Sequence, residues 1–238
     1  MRIDNVTGSS LMVNVLKMFV GLFVVACIIP GSTSLGGGAP AAGGGGPIII
    51  YVDGRATGAG NGTSWADACI SLQVALNAAV SGSQIWVAEG TYIPGIDRAS
   101  TFQLKNGVEL YGGFPRGGST MDDRDPWRYT TILSGEIGNP DQETDNCWHV
   151  VTGSGTDSTA VLDGFRVTEG HASGEHEEAG GGMINTAGSP TVRNAVFLRN
   201  YASKYGGAIA NWSSSPTMEN VAFYGNRADA WGGAVENY

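Results

Sequence analysis

The sequence contains few cysteines and few basic residues. Its 238 residues include only Cys27, Cys69 and Cys147, and no two of them have the CxxC spacing of a structural zinc site. Lys and Arg total 13 against 22 Asp and Glu, which gives a formal net charge of −9. Because an acidic surface repels phosphate backbones, we expect no nucleic-acid partner.

Long hydrophobic runs and short catalytic motifs are also scarce. The apolar segment at residues 18–29 is shorter than the about 20 residues that a membrane-spanning helix needs. The sequence has no GxSxG nucleophile elbow and no DxDxDG calcium loop, and its 38 glycines lack the period of three that collagen requires. Ser-His-Asp catalysis is therefore not indicated.

Residues 1–31 have the pattern of an export signal. Arg2 and Lys17 precede the apolar segment, and a Pro-Gly-Ser sequence ends it. This pattern predicts a signal peptide and an extracellular or bacterial outer-surface location, with an uncleaved membrane anchor as the alternative.

The end of that segment also resembles a lipoprotein signal. Residues 24–27 read VVAC, like a lipobox, which would make Cys27 a lipid anchor; the alternative is an apolar cysteine in a peptide that is discarded. We expect membrane contact only through such a lipid or through a downstream anchor. Residues 32–47 form a Gly/Ala-rich linker, which leaves residues 48–238 as the folded domain.

Export would place Cys69 and Cys147 in an oxidising compartment, where one disulfide is allowed. The alternative is two buried thiols, and we expect that alternative because one sequence does not show that the two residues are close in space.

A 26-residue repeat dominates the C-terminal part of the chain. Residues 180–205 and 206–231 align without a gap, and residues 232–238 begin a third copy. The corresponding positions are Gly181, Gly207 and Gly233; Asn185, Asn211 and Asn237; Phe197 and Phe223; and Asn200 and Asn226. Glycine pairs, Ser-Pro and asparagines separate runs of three to six residues that suit strands, so the repeat predicts a parallel β-solenoid with one coil per copy.

Stacking of the copies explains the substitutions between them. Phe197 over Phe223 and Val192 over Met218 would form inward apolar columns, and the asparagines of the first series would form an amide ladder. The other expected pairs are Arg193 with Glu219 and Tyr201 with Arg227.

Upstream of the repeat the pattern is looser. Residues 161–172 align with residues 191–202 at an offset of 30, because four extra residues fall in the acidic loop at 173–179. Helical spacing from Trp65 to Val80, with Ser64 as N-cap, predicts a helix that caps the first coil; an ordinary surface helix is the alternative. Candidate strands are residues 48–52, 85–88, 102–104, 108–111, 131–133 and 149–152.

These motifs resemble those of a known family. GGAI at 206–209 and GGAV at 232–235, alternating with FLRN at 197–200 and FYGN at 223–226, look like the GGA[ILV] and FxxN motifs of polymorphic outer membrane protein repeats. Those repeats belong to the right-handed parallel β-helix, or pectin-lyase-like, superfamily, and residues 48–168 are similar to the N-terminal part of large secreted β-helix proteins.

The resemblance implies an all-β fold: a right-handed parallel β-helix (solenoid) with an N-terminal capping helix, preceded by the signal segment and the Gly-rich linker. It says little about activity, because one fold hosts many functions. Family members usually continue into many more coils, so we expect the domain at residues 48–238 to be truncated at its C-terminus.

The densest titratable cluster consists of Asp163, Glu169, His171 and residues 175–178, EHEE. Related enzymes that cleave acidic polysaccharides resemble one another in using carboxylates for Ca²⁺ or for acid/base work, and hard oxygen ligands suit Ca²⁺. The alternative is a solvated loop between coils, since its like charges repel. A second acidic run at 121–125 is interpreted as a turn, with Ca²⁺ as its alternative.

Two functions follow from these patterns. The first is a non-catalytic surface module that acts as an adhesive or structural shaft, has no resident cofactor, and contacts polysaccharide or a host or neighbouring surface. Tyr205, Trp212 and Trp231 are its candidate sugar-stacking residues, with wall packing as the alternative. The second is a polysaccharide lyase or glycoside hydrolase that uses Asp163, Glu169 and residues 171–178.

Overall fold

The computed structural model describes residues 46–238, which form short strands in three parallel sheets together with one α-helix. The largest sheet has nine strands. In spatial order they are β1 (Ile48–Val52), β2 (Ser83–Ala88), β5 (Glu109–Phe114), β8 (Val161–Asp163), β12 (Thr191–Leu198), β9 (Phe165–Thr168), β6 (Thr131–Ser134) and β3 (Gly90–Tyr92), with β15 (Thr217–Tyr224) also paired to β12.

The other two sheets are smaller. The five-stranded sheet has the order β17 (Val235–Asn237), β14 (Ile209–Trp212), β11 (Met183–Thr186), β7 (Val151–Thr152) and β4 (Phe102–Gln103). The three-stranded sheet consists of β10 (His171–Ala172), β13 (Tyr201–Ala202) and β16 (Arg227–Ala228).

The nine-stranded sheet is forked at β12. The first half of β12 pairs with β8 and its second half pairs with β9. Two series of short strands therefore share one eight-residue strand, β12. Gly164 separates β8 from β9 with a φ of 86°. Asn194 and Asn220 have positive φ at the equivalent points of β12 and β15. Glycine and asparagine tolerate this left-handed conformation, which explains why they stand at the bend.

The prediction of a right-handed parallel β-helix solenoid for residues 48–238 is wrong. The strands lie in three separate parallel sheets of unequal size, and one of these sheets is forked. Strand partners upstream of the repeat do not follow a constant coil length: Ile48 pairs with Ser83, 35 residues on, whereas Glu109 pairs with Val161, 52 residues on. The 26-residue period holds for residues 180–231 but not for the upstream region, because the loops there differ in length.

Pairing within the repeat itself follows the predicted 26-residue offset. Asn185, Asn211 and Asn237 lie in register on β11, β14 and β17. Their amides form the predicted ladder, with each Nδ2 donating to the next Oδ1 at 2.8 Å. The offset of 30 is also confirmed, since Val161 pairs with Thr191 and His171 with Tyr201.

Side-chain pairs between the copies are confirmed in the same way. The Phe197 and Phe223 rings stack with centroids 5.7 Å apart. An ion pair joins Arg193 to Glu219, and the Arg227 guanidinium lies 5.2 Å from the Tyr201 ring centroid. Asn200 and Asn226 form another amide contact, at 3.0 Å. Val192 pairs with Met218 as predicted, but Met218 is exposed rather than part of an inward column.

The helix is shorter than predicted and begins later. It spans Leu72–Ala78, and its N-cap is Ser71, whose hydroxyl accepts a hydrogen bond from the Val74 amide. Ser64 is therefore not the N-cap. Trp65 lies outside the helix because its ring packs against Phe114 and its Nε1 donates to the Ser119 carbonyl at 3.0 Å.

One apolar core connects the helix with the sheets. The buried face of the helix consists of Leu72, Ala75 and Leu76, and it packs against β1, β2 and β4. Further buried side chains of the core include Ile50, Ile85, Phe102, Leu110, Leu133, Leu162, Phe165, Val192 and Phe197.

Candidate functional site

Asp163 is held in a buried structural contact. Its Oδ1 accepts hydrogen bonds from Arg124 Nη2 at 2.6 Å and from Asn194 Nδ2 at 2.9 Å. Arg124 also donates to the backbone carbonyls of Gly112 and Asp163, and both charged side chains are about nine-tenths buried. These contacts join the loop before β6 to the forked sheet, so Asp163 is not presented to a substrate.

Glu169 lies in a different place, at a polar groove of about 460 Å³. An ion pair joins its Oε1 to Arg199 Nη2 at 2.6 Å. Glu136, Glu143, Ser134 and Thr168 are among the other residues that line this groove. The groove offers carboxylates and hydroxyls to a polar ligand, but Glu169, the carboxylate predicted to be catalytic, is engaged in the ion pair with Arg199.

His171 is buried beside the Tyr201 ring, with ring centroids 4.5 Å apart. Burial, and then the positive charge of Arg98, lower the pKa of His171. Arg98 donates to the His171 carbonyl at 2.9 Å and to the Asn146 carbonyl at 2.8 Å. The imidazole is thus a buried side chain that packs against Tyr201.

In the acidic loop at 173–179, some side chains face solvent and others contact the rest of the protein. Glu175 and His176 are exposed, whereas Glu178 forms an ion pair with Lys204 at 2.7 Å. Glu177 turns inward, and its Oε2 lies 2.7 Å from His149 Nε2. Asp163, Glu169, His171 and this loop, predicted as one cluster, therefore occupy separate environments.

The inward side of the loop borders a groove of about 420 Å³, called here the tryptophan groove. Trp148 and Trp212 line it together with His149, Glu177 and a set of hydroxyl side chains. The complete lining is Ala99, Thr101, Trp148, His149, Thr152, Ser154, His176, Glu177, Ile184, Thr186 and Trp212. β7, β11 and β14 supply the floor, because their side chains alternate between the core and this outer face.

The outward aromatic residues extend away from the tryptophan groove. The Trp212 ring meets Tyr205 edge to face at 5.6 Å, and Tyr205 stacks on Trp231 at 5.4 Å. Trp231 is 63% exposed. The three predicted stacking residues therefore form one cluster, and Trp212 connects this cluster with the groove.

Sequence reasoning missed Trp148 and the contact between His149 and Glu177. The sequence predicts a strand at residues 149–152, but β7 begins only at Val151, and the His149 imidazole contacts Glu177 of the loop. A signal was present: from residue 161 onward the alignment of the repeat is interrupted only at the loop that carries Glu177, and functional side chains concentrate in irregular loops.

The acidic run near residue 121 forms a turn, as interpreted from the sequence. Met121–Asp123 is a short 3₁₀ helix, and Asp123 and Asp125 accept hydrogen bonds from nearby backbone amides. Within residues 46–238 no three His, Cys, Asp or Glu side chains are grouped to hold one metal ion. Ca²⁺ binding remains an untested alternative.

Cys147 is a buried thiol without a disulfide, so the described structure contains no Cys69–Cys147 bond. Burial raises the pKa of Cys147 to about 12, which keeps the thiol protonated and unreactive. Cys27, the signal peptide and most of the linker lie outside the described residues. No helix within residues 46–238 has the length and apolar character needed to cross a bilayer.

Comparisons with family models, with curated proteins and with solved structures gave no match to this chain. The resemblance to polymorphic outer membrane protein repeats therefore stays a prediction from the motifs alone.

Proposed function

We propose that this chain is an exported, non-catalytic surface module, structural or adhesive in role, that contacts glycans through the tryptophan groove. The observation that carries the proposal is the composition of that groove: two tryptophans stand among hydroxyl groups and one His–Glu pair. Sugar rings have an apolar face that packs on aromatic rings and a polar rim that exchanges hydrogen bonds with hydroxyls and carboxylates.

The contacts that Asp163 and Glu169 make support a binding role rather than a catalytic one. Asp163 is bound to Arg124 in the interior, and Glu169 is paired with Arg199. An acid or base must reach the reacting atoms of a substrate, and Asp163 is too enclosed to do so. The stacked asparagines and phenylalanines of the repeat are likewise occupied by contacts between neighbouring strands.

The net charge indicates which glycans to test first. A chain with a formal charge of −9 repels polyanions at low ionic strength, so neutral polysaccharides are the expected ligands. The open aromatic cluster beyond Trp212 gives a long polymer further surface on which to lie.

The test is affinity electrophoresis through gels that contain neutral glucans, mannans or xylans, with pectate and alginate as anionic comparisons. We expect retardation by at least one neutral polymer. We expect Trp212→Ala to weaken it by about fivefold or more, because stacking on one aromatic ring contributes on the order of 1–3 kcal/mol in the comparable case of nucleobases. Trp127→Ala is the matched control, since Trp127 is exposed but does not line the groove. Equal retardation of both variants would exclude this groove.

The second candidate is a polysaccharide lyase or hydrolase, and the observation in its favour is the His149–Glu177 pair in an open groove. Incubation with anionic polysaccharides and Ca²⁺ tests the lyase, which would generate unsaturated ends that absorb in the ultraviolet. A reducing-end assay tests the hydrolase. Turnover that is lost in Glu177→Gln would show that the chain is an enzyme and not a binding module. Absence of product in both assays would count against the enzyme.

A further inference from the structure

The sequence contains two Asn–Gly pairs, at residues 61–62 and 106–107. In such a pair the glycine nitrogen can attack the asparagine side-chain carbonyl, because the product is a five-membered ring and glycine has no side chain to hinder the approach. The reaction is accelerated by a group that accepts the proton of the glycine N–H and by a donor that stabilises the charge on the attacked oxygen. The contacts of each pair therefore decide how readily it reacts.

The contacts of Gly107 lead to a carboxylate. Its N–H donates to the Thr159 hydroxyl at 2.7 Å. That hydroxyl in turn donates to Asp157 Oδ1, which also accepts from the Thr159 amide at 2.9 Å. The hydroxyl and then the amide lower the pKa of Asp157, so the carboxylate is ionised at neutral pH. Because the hydroxyl proton is directed at the carboxylate, a lone pair of the hydroxyl oxygen faces the Gly107 N–H, and a proton can pass along this path.

The same loop supplies a donor to the group that is attacked. The backbone N–H of Asp157 donates to Asn106 Oδ1 at 2.8 Å. This donor stabilises the negative charge that develops on Oδ1 when the side-chain carbonyl carbon is attacked. Asn106, Asp157 and Thr159 are all exposed, so water reaches the site.

The pair at residues 61–62 has different partners. The Gly62 N–H donates to the Asp67 carbonyl oxygen at 2.8 Å, and Asn61 Oδ1 accepts from the amide and the hydroxyl of Thr63. A backbone carbonyl accepts a hydrogen bond but is a far weaker base than a carboxylate, so it holds the Gly62 N–H without taking its proton. Asn61–Gly62 is therefore an internal control with the same two residues in a different contact.

Turn geometry accounts for the glycine at position 107 but not for the path to the carboxylate. Gly107 has a φ of 71°, and a Cβ there would clash with the Ser81 side chain. Both facts require a glycine. Neither requires that its N–H be joined through Thr159 to Asp157, which is the feature that carries the inference.

We propose that Asn106 is a self-modifying site, at which the chain converts its own asparagine to aspartate or isoaspartate through a succinimide. The Gly107 nitrogen forms a bond to Asn106 Cγ, and its proton passes through the Thr159 hydroxyl to Asp157. The Cγ–Nδ2 bond then breaks, and Nδ2 leaves as ammonia with the proton that Asp157 held. Water next opens the ring at either of its two carbonyl carbons.

The product alters a turn at which three neighbouring strands begin. The Gly107 carbonyl accepts from the Gly82 amide at 2.7 Å, so the turns before β2, β5 and β8 meet at Gly107. Isoaspartate routes the backbone through the side chain and lengthens it by one carbon, which displaces Gly107 from these contacts. The modification therefore loosens the ends of strands that are adjacent in the nine-stranded sheet, and this effect does not depend on glycan binding.

The test is incubation of the whole chain at neutral pH, in buffer and in urea, followed by peptide mapping with mass spectrometry. The mapping resolves both the loss of ammonia and the replacement of the amide by a hydroxyl. We expect Asn106 to react at least about tenfold faster in the native chain than in urea, because general-base catalysis contributes on the order of a hundredfold or more. Asn61 should react more slowly in the native chain than in urea.

Substitutions in the loop separate proton transfer from restraint of the turn. Asp157→Asn keeps an acceptor for Thr159 but removes the base, and it should slow the reaction of Asn106 at least about tenfold. Thr159→Val should have the same effect, whereas Thr159→Ser should retain the wild-type rate. Asp141→Asn removes another exposed carboxylate and is the matched control, which should react like the wild type.

The pH profile gives a second readout. Between about pH 5 and 7 Asp157 is already ionised, so the wild-type rate should stay nearly constant. In Asp157→Asn the rate should rise in proportion to the hydroxide concentration. If the contact with Thr159 only restrains the turn, Thr159→Val will accelerate the reaction and Asp157→Asn will leave it unchanged. Either result, or an Asn106 that reacts no faster in the native chain than in urea, would overturn the proposal.

Discussion

Arg124 and Asp163 illustrate how a residue that looks catalytic in sequence becomes structural in space. The two side chains are about nine-tenths buried, and the Arg124 guanidinium donates hydrogen bonds to Asp163 and to the Gly112 carbonyl. A charge in such a site is tolerated only while its partner remains. The pair therefore fixes the loop before β6 to the forked sheet, and its role is structural and not catalytic.

This interpretation predicts a stability defect without a binding defect. Asp163→Ala should lower the free energy of unfolding by about 3 kcal/mol, because it leaves the Arg124 charge buried with fewer acceptors. Urea denaturation measures this change, and affinity electrophoresis measures glycan binding. Glu219→Ala is the control: it breaks the exposed pair with Arg193 and should cost less than about 1 kcal/mol. Equal losses in the two variants would contradict the buried-pair argument.

In the repeat, the glycines just before β11 and β14 lie against the backbone of β13 and β16. A Cβ at Gly181 would clash with the Tyr201 carbonyl, and a Cβ at Gly207 would clash with the Arg227 carbonyl. At the equivalent Gly233 the nearest atom is the Asn226 carbonyl oxygen, 3.9 Å away. The motif position is therefore crowded at Gly181 and at Gly207, whereas no described atom comes that close at Gly233.

The contrast gives a matched pair of substitutions. Gly207→Ala should destabilise the chain by about 2 kcal/mol, because a backbone carbonyl does not move aside as a flexible side chain would. In the 238-residue chain, Gly233→Ala should change stability by less than about 0.5 kcal/mol, because a Cβ there meets no described atom closer than 3.9 Å. Thermal and urea unfolding measure both. A large loss at Gly233 would show that the glycine is needed for its backbone conformation rather than for space.

The same elements show what the sequence could predict. Pairings from residue 161 onward were predictable, because corresponding residues such as Phe197 and Phe223 recur at a constant offset. The upstream pairings were not, since their offsets vary with loop length. The helix was misplaced because the aromatic packing of Trp65 overrides its helical spacing. The His149–Glu177 contact joins a residue outside any strand to an irregular loop, and no periodicity encodes such a pair.

At the scale of the whole molecule, burial declines from the fork toward the last strands. Most residues of β12 are buried or partly buried because β8 and β9 pair with one edge and β15 with the other. The residues of β15 are exposed or only partly buried. Elements with few buried contacts open locally before the elements of the core, so we expect β15 to open before β12.

Native-state hydrogen exchange should therefore reveal a gradient in the free energy of opening. Amides of β2, β5 and β12 should exchange only through global unfolding, whereas amides of β15 and β17 should open at a free energy several kcal/mol lower. Phe223→Ala, which weakens the stack on Phe197, should lower the opening free energy of β15 and leave that of β2 unchanged.

Phe197→Ala should instead lower global stability by about 3–5 kcal/mol, because this ring is fully buried. Equal opening free energies along all three sheets would mean that the forked sheet and the repeat unfold as one cooperative unit, which would contradict the gradient.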